Sequence, residues 1–188
     1  MIYDEKFENI NFNEKPLTKG EYEECAFINC NFENEDLSEI VFLECEFIQC
    51  NFSLVKLTLT AFHDVTFKEC KMLGLRFDTC NENGLTFTFD NCSLNNSTFY
   101  QTKIQNTIFK NSQLKDTDFA ECDLTCSVFE NCDLTNAIFD NTIIEKADLR
   151  TSHNYTIDPD KNKIKKARFS LPEVVRLLSK YDIQIDKA

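Results

Sequence analysis

The chain has 188 residues, 42% of them hydrophobic, a formal charge of −12, 18 Phe, no Trp, 3 Gly and 3 Pro. That length suits one domain with a real core. So few Gly and Pro exclude a fold of many sharp loops, and the acidity argues against direct nucleic-acid binding, which needs Lys and Arg to neutralise phosphates.

Met1 to Ile10 has no apolar run behind a basic start, and no stretch approaches the roughly 18 apolar residues of a membrane span. A cytoplasmic protein with no membrane contact is expected. Ten Cys without a secretory signal then read as reduced thiols rather than a disulfide framework.

Counting by fives from Phe7 gives Phe12, Leu17, Tyr22, Phe27, Phe32, Leu37, Phe42, Phe47, Phe52, Leu57, Phe62, Phe67, Met72 and Phe77. Neither a lone helix nor a lone strand has that period. Glu82 breaks the frame within Asn81-Glu82-Asn83-Gly84. A charge at a central position would be buried without a partner, so a bulge or loop is expected there, with Asn83-Gly84 as its turn. Phe87 still reads in the old frame. Phe89 opens a new one, offset by two, through Leu94, Phe99, Ile104, Phe109, Leu114, Phe119, Leu124, Phe129, Leu134, Phe139, Ile144 and Leu149. Every Phe except Phe87 is central in one frame or the other, which marks an internal repeat.

Two residues before each centre sits a smaller side chain, and nine of the ten Cys hold that position, among them Cys25, Cys45, Cys70, Cys92, Cys122 and Cys132. A free Cys there acts as a small buried hydrophobe. Stacked pairs such as Cys25/Cys45 and Cys30/Cys50 fall within disulfide reach, but parallel side chains and a cytosolic setting favour free thiols.

Cys30-Asn31-Phe32, Cys122-Asp123-Leu124, Cys132-Asp133-Leu134 and Ala147-Asp148-Leu149 match the motif A(D/N)LXX. Over roughly residues 5–150 the chain resembles the pentapeptide-repeat family. The resemblance implies an all-β solenoid, a right-handed quadrilateral β-helix in which four pentapeptides make one square coil. Strand-like stacking at about 4.8 Å per coil would give a rod of about seven coils and about 35 Å. Residues 1–150 form this body, with its frame break near 82–88.

Residues 151–188 read differently. Thr151 to Asn162 looks like a loop, and the frame returns briefly at Ile164 and Ala167-Arg168-Phe169. Ser170-Leu171-Pro172-Glu173 has the form of a capping box that starts a C-terminal helix. Leu171, Val174, Val175, Leu178 and Tyr181 follow one helical face, and Ile183 and Ile185 alternate as a short strand. Such a face could cap the stack in cis. By resemblance to the quinolone-resistance and mycobacterial members it could instead pair with its twin, and a homodimer through this helix is expected.

Residues 1–150 carry 27 acidic and 12 basic side chains, and the first fifty carry 13 acidic against 3 basic. Residues twenty apart should stack, so Glu24, Glu44 and Asp64 form an acidic column flanked by Glu21 and Glu23. Asp116, Asp118 and Glu121 make a second acidic group. Catalysis has little to work with. His63 and His153 are the two histidines, and neither lies beside a nucleophile. No CxxC pair exists, and Cys126 should point away from Cys122 and Cys132, so no metal or other cofactor is expected.

By resemblance to the topoisomerase-protection members, including the quinolone-resistance and microcin-immunity proteins, the expected function is DNA mimicry. The eight acidic residues would place carboxylates where DNA gyrase or topoisomerase IV expects phosphates. The alternative is a non-enzymatic scaffold for an unrelated protein, with the outward Ile28, Leu43, Ile48, Leu54, Leu59 and Leu73 as its binding patch.

Overall fold

The computed structural model describes residues 1–186. Its strands pair with a register of twenty, Ile2 with Tyr22 and Phe27 with Phe47, so each square coil consumes four pentads. We number its sides 1 to 4 in chain order, centred in the second coil on Tyr22, Phe27, Phe32 and Leu37. On side 1, β1 (Ile2–Tyr3), β3 (Glu21–Glu23), β5 (Val41–Leu43) and β7 (Ala61–His63) form a parallel four-stranded sheet. On side 2, β2 (Lys6–Glu8), β4 (Ala26–Ile28), β6 (Glu46–Ile48), β8 (Val65–Lys68), β9 (Phe87–Asp90), β10 (Ile108–Lys110) and β11 (Val128–Glu130) form a parallel seven-stranded sheet. Single bridges extend that column through Asp148 to Arg168, and isolated bridges such as Asn31 to Asn51 and Asp36 to Lys56 hold sides 3 and 4. This is the quadrilateral all-β solenoid that the repeat implies.

The central residues fill the interior as ring stacks. Phe7, Phe27 and Phe47 lie 4.7 Å apart in succession, with planes within 12°. Rings on adjacent sides meet edge-on, Phe47 against Phe52 at 4.9 Å and 86°. Both geometries suit the aromatic quadrupole. A square interior therefore accepts one ring per side per coil.

The position two before each centre does more than save space. Its side chain donates to the backbone carbonyl of a central residue in the preceding coil. Cys45 Sγ reaches Tyr22 O at 3.3 Å, Thr60 Oγ1 reaches Leu37 O at 2.8 Å, and Ser152 Oγ reaches Phe129 O at 2.8 Å. Each bond stitches two coils from inside, which is why Cys, Ser and Thr recur there. A hydroxyl or thiol buried without such an acceptor would be costly.

At the corners, two after each centre, the backbone turns through the left-handed region: Asn9, Asn29, Asn96, Asn131 and many others have φ near +55°. Asn tolerates this conformation, whereas a larger L-residue is strained by about 1–2 kcal/mol. Leu59 holds φ +58° with 56% of its surface exposed. Replacing Leu59 with Asn is therefore expected to raise stability by about 1 kcal/mol in urea unfolding, since little burial is lost.

At the frame break the register changes from twenty to twenty-two, with Val65 opposite Phe87 and Phe67 opposite Phe89. Glu82, Asn83 and Gly84 are exposed, and Asn83-Gly84 form a turn in which Gly84 has φ +73°. A Cβ on Gly84 would sit 2.6 Å from His63 Nδ1, so glycine is needed there on both counts. Phe87 is not a centre of the old frame. It takes the small position of the new one, opposite Val65, while Leu85 fills the interior that Glu82 vacates.

The far end departs from expectation in four ways. Residues 151–162 are no free loop, because His153 bridges Asp133, Lys163 bridges Ile143, and Ser152, Tyr155 and Ile157 are buried. The helix is one α-turn, α1 (Leu171–Val174), followed by a 3-10 segment over Val175–Tyr181. Ser170 makes no side-chain cap, since Glu173 instead accepts from Arg176 Nε at 2.7 Å and Asn154 N at 3.3 Å. Ile183 and Ile185 form no strand and are more than half exposed.

The ten cysteines are free thiols, nine of them buried. Burial pushes the thiols of Cys45, Cys122 and Cys132 up to about 12. Cys126 alone reaches the surface in part, on a corner at φ +62°. Iodoacetamide at pH 8 is expected to add one group to the native protein, at Cys126, and ten after denaturation. Intact mass measures this directly.

Candidate functional site: the acidic corner and the C-terminal face

Because the coils stack in register, corner residues align. Asp4, Glu24, Glu44 and Asp64 occupy the corner between sides 1 and 2 in four successive coils, all with φ between +51° and +53°. The backbone ladder locks the alignment, with Glu24 N–H on Leu43 O at 2.9 Å and Glu44 N–H on His63 O at 2.8 Å. Tyr3 Oη donates to Glu24 Oε2 at 3.1 Å, and that bond to a carboxylate raises the phenol's pKa. Glu21 and Glu23 flank the column on β3, half-buried at either side of the buried Tyr22. Their own columns are not acidic: Val41 and Ala61 follow Glu21, and Leu43 and His63 follow Glu23.

Several carboxylates near this corner are paired. Lys6 neutralises Glu8 at 2.7 Å, Lys56 meets Asp36 at 3.0 Å, and Lys68 pairs with Glu46. Glu21, Glu23, Glu24, Glu44 and Asp64 make no ion pair among the described residues. Their charge is left for solvent or a partner.

Asp116, Asp118 and Glu121 do not join that corner. Asp116 stands on the diagonally opposite corner and accepts from Asn136 Nδ2 at 3.0 Å. Asp118 lies on side 4 between Thr98 and Ile138, and accepts from Ala120 N at 2.8 Å. Glu121, on the corner between sides 4 and 1, takes bonds from Tyr100 Oη and Gln101 Nε2 at 3.2 and 2.7 Å.

Asp133 and Asp148, also in the C-terminal half, are tied up locally. Burial alone would raise Asp133, but Thr135, Asn154 and Lys115 donate to it and hold it well below the usual carboxylate range. Arg150 and Arg168 do the same for Asp148.

The C-terminal apolar side chains divide. Leu177, which the helical-face reading passed over, packs with Phe169 and Ile164 against the end of the core. Leu171 is 85% exposed, and Val175, Leu178 and Tyr181 are also exposed, while Val174 is half-buried. A 3-10 continuation rotates residues by a third of a turn each, which brings Leu177 inward where an α-helix would have kept Leu178. Of the outward apolar residues, Leu54 and Leu59 are exposed, whereas Ile28, Leu43, Ile48 and Leu73 are half-covered by the coils beside them.

Among the described residues no cluster of three or more His, Cys, Asp or Glu is arranged to hold a metal, and no helix is long and apolar enough to cross a membrane.

Comparison with known proteins agrees with this architecture. The family pattern for the pentapeptide repeat region matches residues 20–88 and 83–154. Among solved structures, a trypsin-treated form of QnrB1, a plasmid-mediated fluoroquinolone resistance protein, superposes with a TM-score of 0.65 at 13% identity, covering 100% of both chains. Full-length QnrB1 gives 0.57 at 15% identity, covering 96% of this chain and 99% of that one. HetL, a pentapeptide repeat protein involved in heterocyst differentiation regulation in the cyanobacterium Nostoc, gives 0.45 at 13%, covering 89% and 86%. No curated protein sequence matches the chain. Identities this low carry the fold and nothing further. With the family pattern spanning most of the coils, the chain belongs to the pentapeptide-repeat family.

Proposed function

We propose that this protein is a cytoplasmic, non-enzymatic DNA mimic that binds a type II topoisomerase, DNA gyrase or topoisomerase IV, and modulates its response to fluoroquinolones. The observation that carries this is the unpaired corner column of Asp4, Glu24, Glu44 and Asp64. It offers one carboxylate per coil, about every 4.8 Å, against one phosphate per about 3.4 Å on each strand of a duplex. A basic saddle built for DNA would meet a comparable line of charge. The fold shared with QnrB1, which is a fluoroquinolone resistance protein, supports the same reading. The exposed Leu171, Val175, Leu178 and Tyr181 suit a homodimer through the C-terminal segment.

A second reading, a scaffold for an unrelated protein, is favoured by Leu54 and Leu59, large apolar residues exposed in a strained conformation. A gyrase supercoiling assay with ciprofloxacin separates the two. Micromolar protein is expected to relieve or deepen the inhibition, and a triple variant carrying Glu24→Lys, Glu44→Lys and Asp64→Lys is expected to lose the effect while keeping its melting transition. Indifference of gyrase to the wild-type protein would sink the mimic reading.

A further inference from the structure

The acidic corner has one missing rung. Below Asp64 the next regular corner residue is Asn106, because the chain between them leaves the corner to bulge through Glu82–Leu85. The interruption leaves two adjoining depressions of about 330 and 420 Å³, which share Thr86, Gln105 and Asn106. Together they form a notch in the rod.

The hydrogen bonding inside the notch is incomplete. Thr107 is 1% exposed, lines the notch, and its Oγ1 has no partner, a state it shares with Ser38 and Tyr155. At other positions of the interior rail the hydroxyl can find a carbonyl 23 residues back, as Thr117 does with Leu94 and Ser127 with Ile104. For Thr107 that residue is Gly84, whose carbonyl the bulge has carried off to His63 Nδ1 at 3.0 Å and Thr86 Oγ1 at 3.2 Å. Native structures seldom leave such a buried group unmade without a use for it. Around it stand the carboxylates of Asp64 and Glu82, the hydroxyls of Thr66 and Thr88, and the Asn106 amide, none with a side-chain bond among the described residues. Lys103 is on the lower rim, where its charge acts on Asp123.

We propose that this notch is a socket for one arginine side chain of a partner protein. Two carboxylates at its rim favour a cation. Several oxygen acceptors, spread from the rim to Thr107, suit a group with many donors and no acceptor of its own. Guanidinium has five N–H donors in a rigid fork, so it can grip Asp64 with two and still reach hydroxyls with the rest. A lysine ammonium has three donors at one point and leaves the deeper acceptors unmet. The missing corner supplies the room. The socket depends on the local geometry alone, so it stands whether or not the partner is a topoisomerase.

The test is a titration of the full chain with the peptide acetyl-Gly-Arg-Gly-amide, followed by amide NMR, with lysine and citrulline peptides as controls. The arginine peptide is expected to give saturable shifts at Asp64, Thr88, Asn106 and Thr107, and the citrulline peptide none. Asp64→Asn is expected to weaken binding about fivefold or more. Thr107→Val is expected to raise the melting temperature of the free protein, by removing the orphan hydroxyl, and to weaken the peptide. Shifts that track Glu24 and Glu44 as strongly as the notch would reduce the effect to diffuse charge and overturn the socket. So would equal binding of the lysine peptide, absence of saturation, or a Thr107→Val protein no more stable than wild type, which would mean that a water already serves the hydroxyl. A protein inert toward gyrase that passes this test loses the mimic reading and keeps the socket.

Discussion

Replacing Phe99 with Ala is expected to lower the unfolding free energy by about 3–5 kcal/mol. Phe99 is wholly buried, stacked on Phe77 at 4.4 Å and on Phe119 at 5.3 Å, with edge contacts to Phe89 and Phe109 at 6.3 and 6.0 Å. Backbone ladders above and below Phe99, such as its own N–H on Asp118 O at 2.8 Å, keep the coils from closing on the cavity. Most of the lost volume therefore stays empty, which puts the cost at the upper end of the range. Two controls sharpen the result. Phe99→Leu is expected to cost about 1.5 kcal/mol or less, since Leu94 and Leu114 already serve as centres one side away. Phe7→Ala, in the half-covered first coil with a single stacked neighbour along its column, is expected to cost less than half as much as Phe99→Ala. Urea unfolding of the three variants checks the ranking. Equal losses at Phe7 and Phe99 would show that the stack does not behave as a set of nearest-neighbour contacts.

How far the sequence announced this molecule depends on which repeat position is asked. The centres were legible because burial of a ring every five residues leaves an unmistakable apolar trace, and Phe27, Phe32, Phe47 and Phe99 all lie within the core. The small position was legible in size but not in its second task, the bond to a carbonyl one coil back, because a contact across 23 residues has no local signal. A cue existed in the choice of Cys, Ser and Thr over Ala at most of those positions. The corners carried another cue in their excess of Asn, the residue that tolerates a left-handed backbone.

The candidate site was legible only in part. Stacking by twenties correctly aligned Glu24, Glu44 and Asp64, and the same arithmetic adds Asp4 above them. What the chain could not state is which carboxylates are neutralised, since Glu46 and Glu8 look as free as Glu44 until Lys68 and Lys6 are seen beside them. Charge counts therefore overstated the C-terminal half, where Asp148 and Asp133 are spent on Arg150 and Lys115. The tail failed for a different reason. Tyr155 and Ile157 enter the core off the five-residue beat, so a strict period reads Thr151 to Asn162 as loop.

Ala147→Asp is expected to be strongly destabilising, and its pH dependence identifies the cause. Ala147 is fully buried at the small position, with its carbonyl taken by Arg168 N–H at 2.8 Å and its own N–H on Ile144 O. The substitution puts a carboxylate at a fully buried position that now holds a single methyl group. Desolvation there raises an Asp pKa well above its ordinary value of about 3.9. In the folded state the group stays protonated over a pH range in which the unfolded chain ionises it. Ionisation thus favours unfolding, and the penalty grows as pH rises from about 4 until the folded-state pKa is passed. At pH 7 the variant is expected to lose several kcal/mol and melt from the C-terminal coils, whereas near pH 4 much of that loss returns. Ala147→Asn separates the two contributions, because it adds the same bulk without a titratable group. If Ala147→Asp and Ala147→Asn fall together at pH 7, and neither recovers on acidification, the damage is steric and the interior is less hostile to charge than its packing indicates.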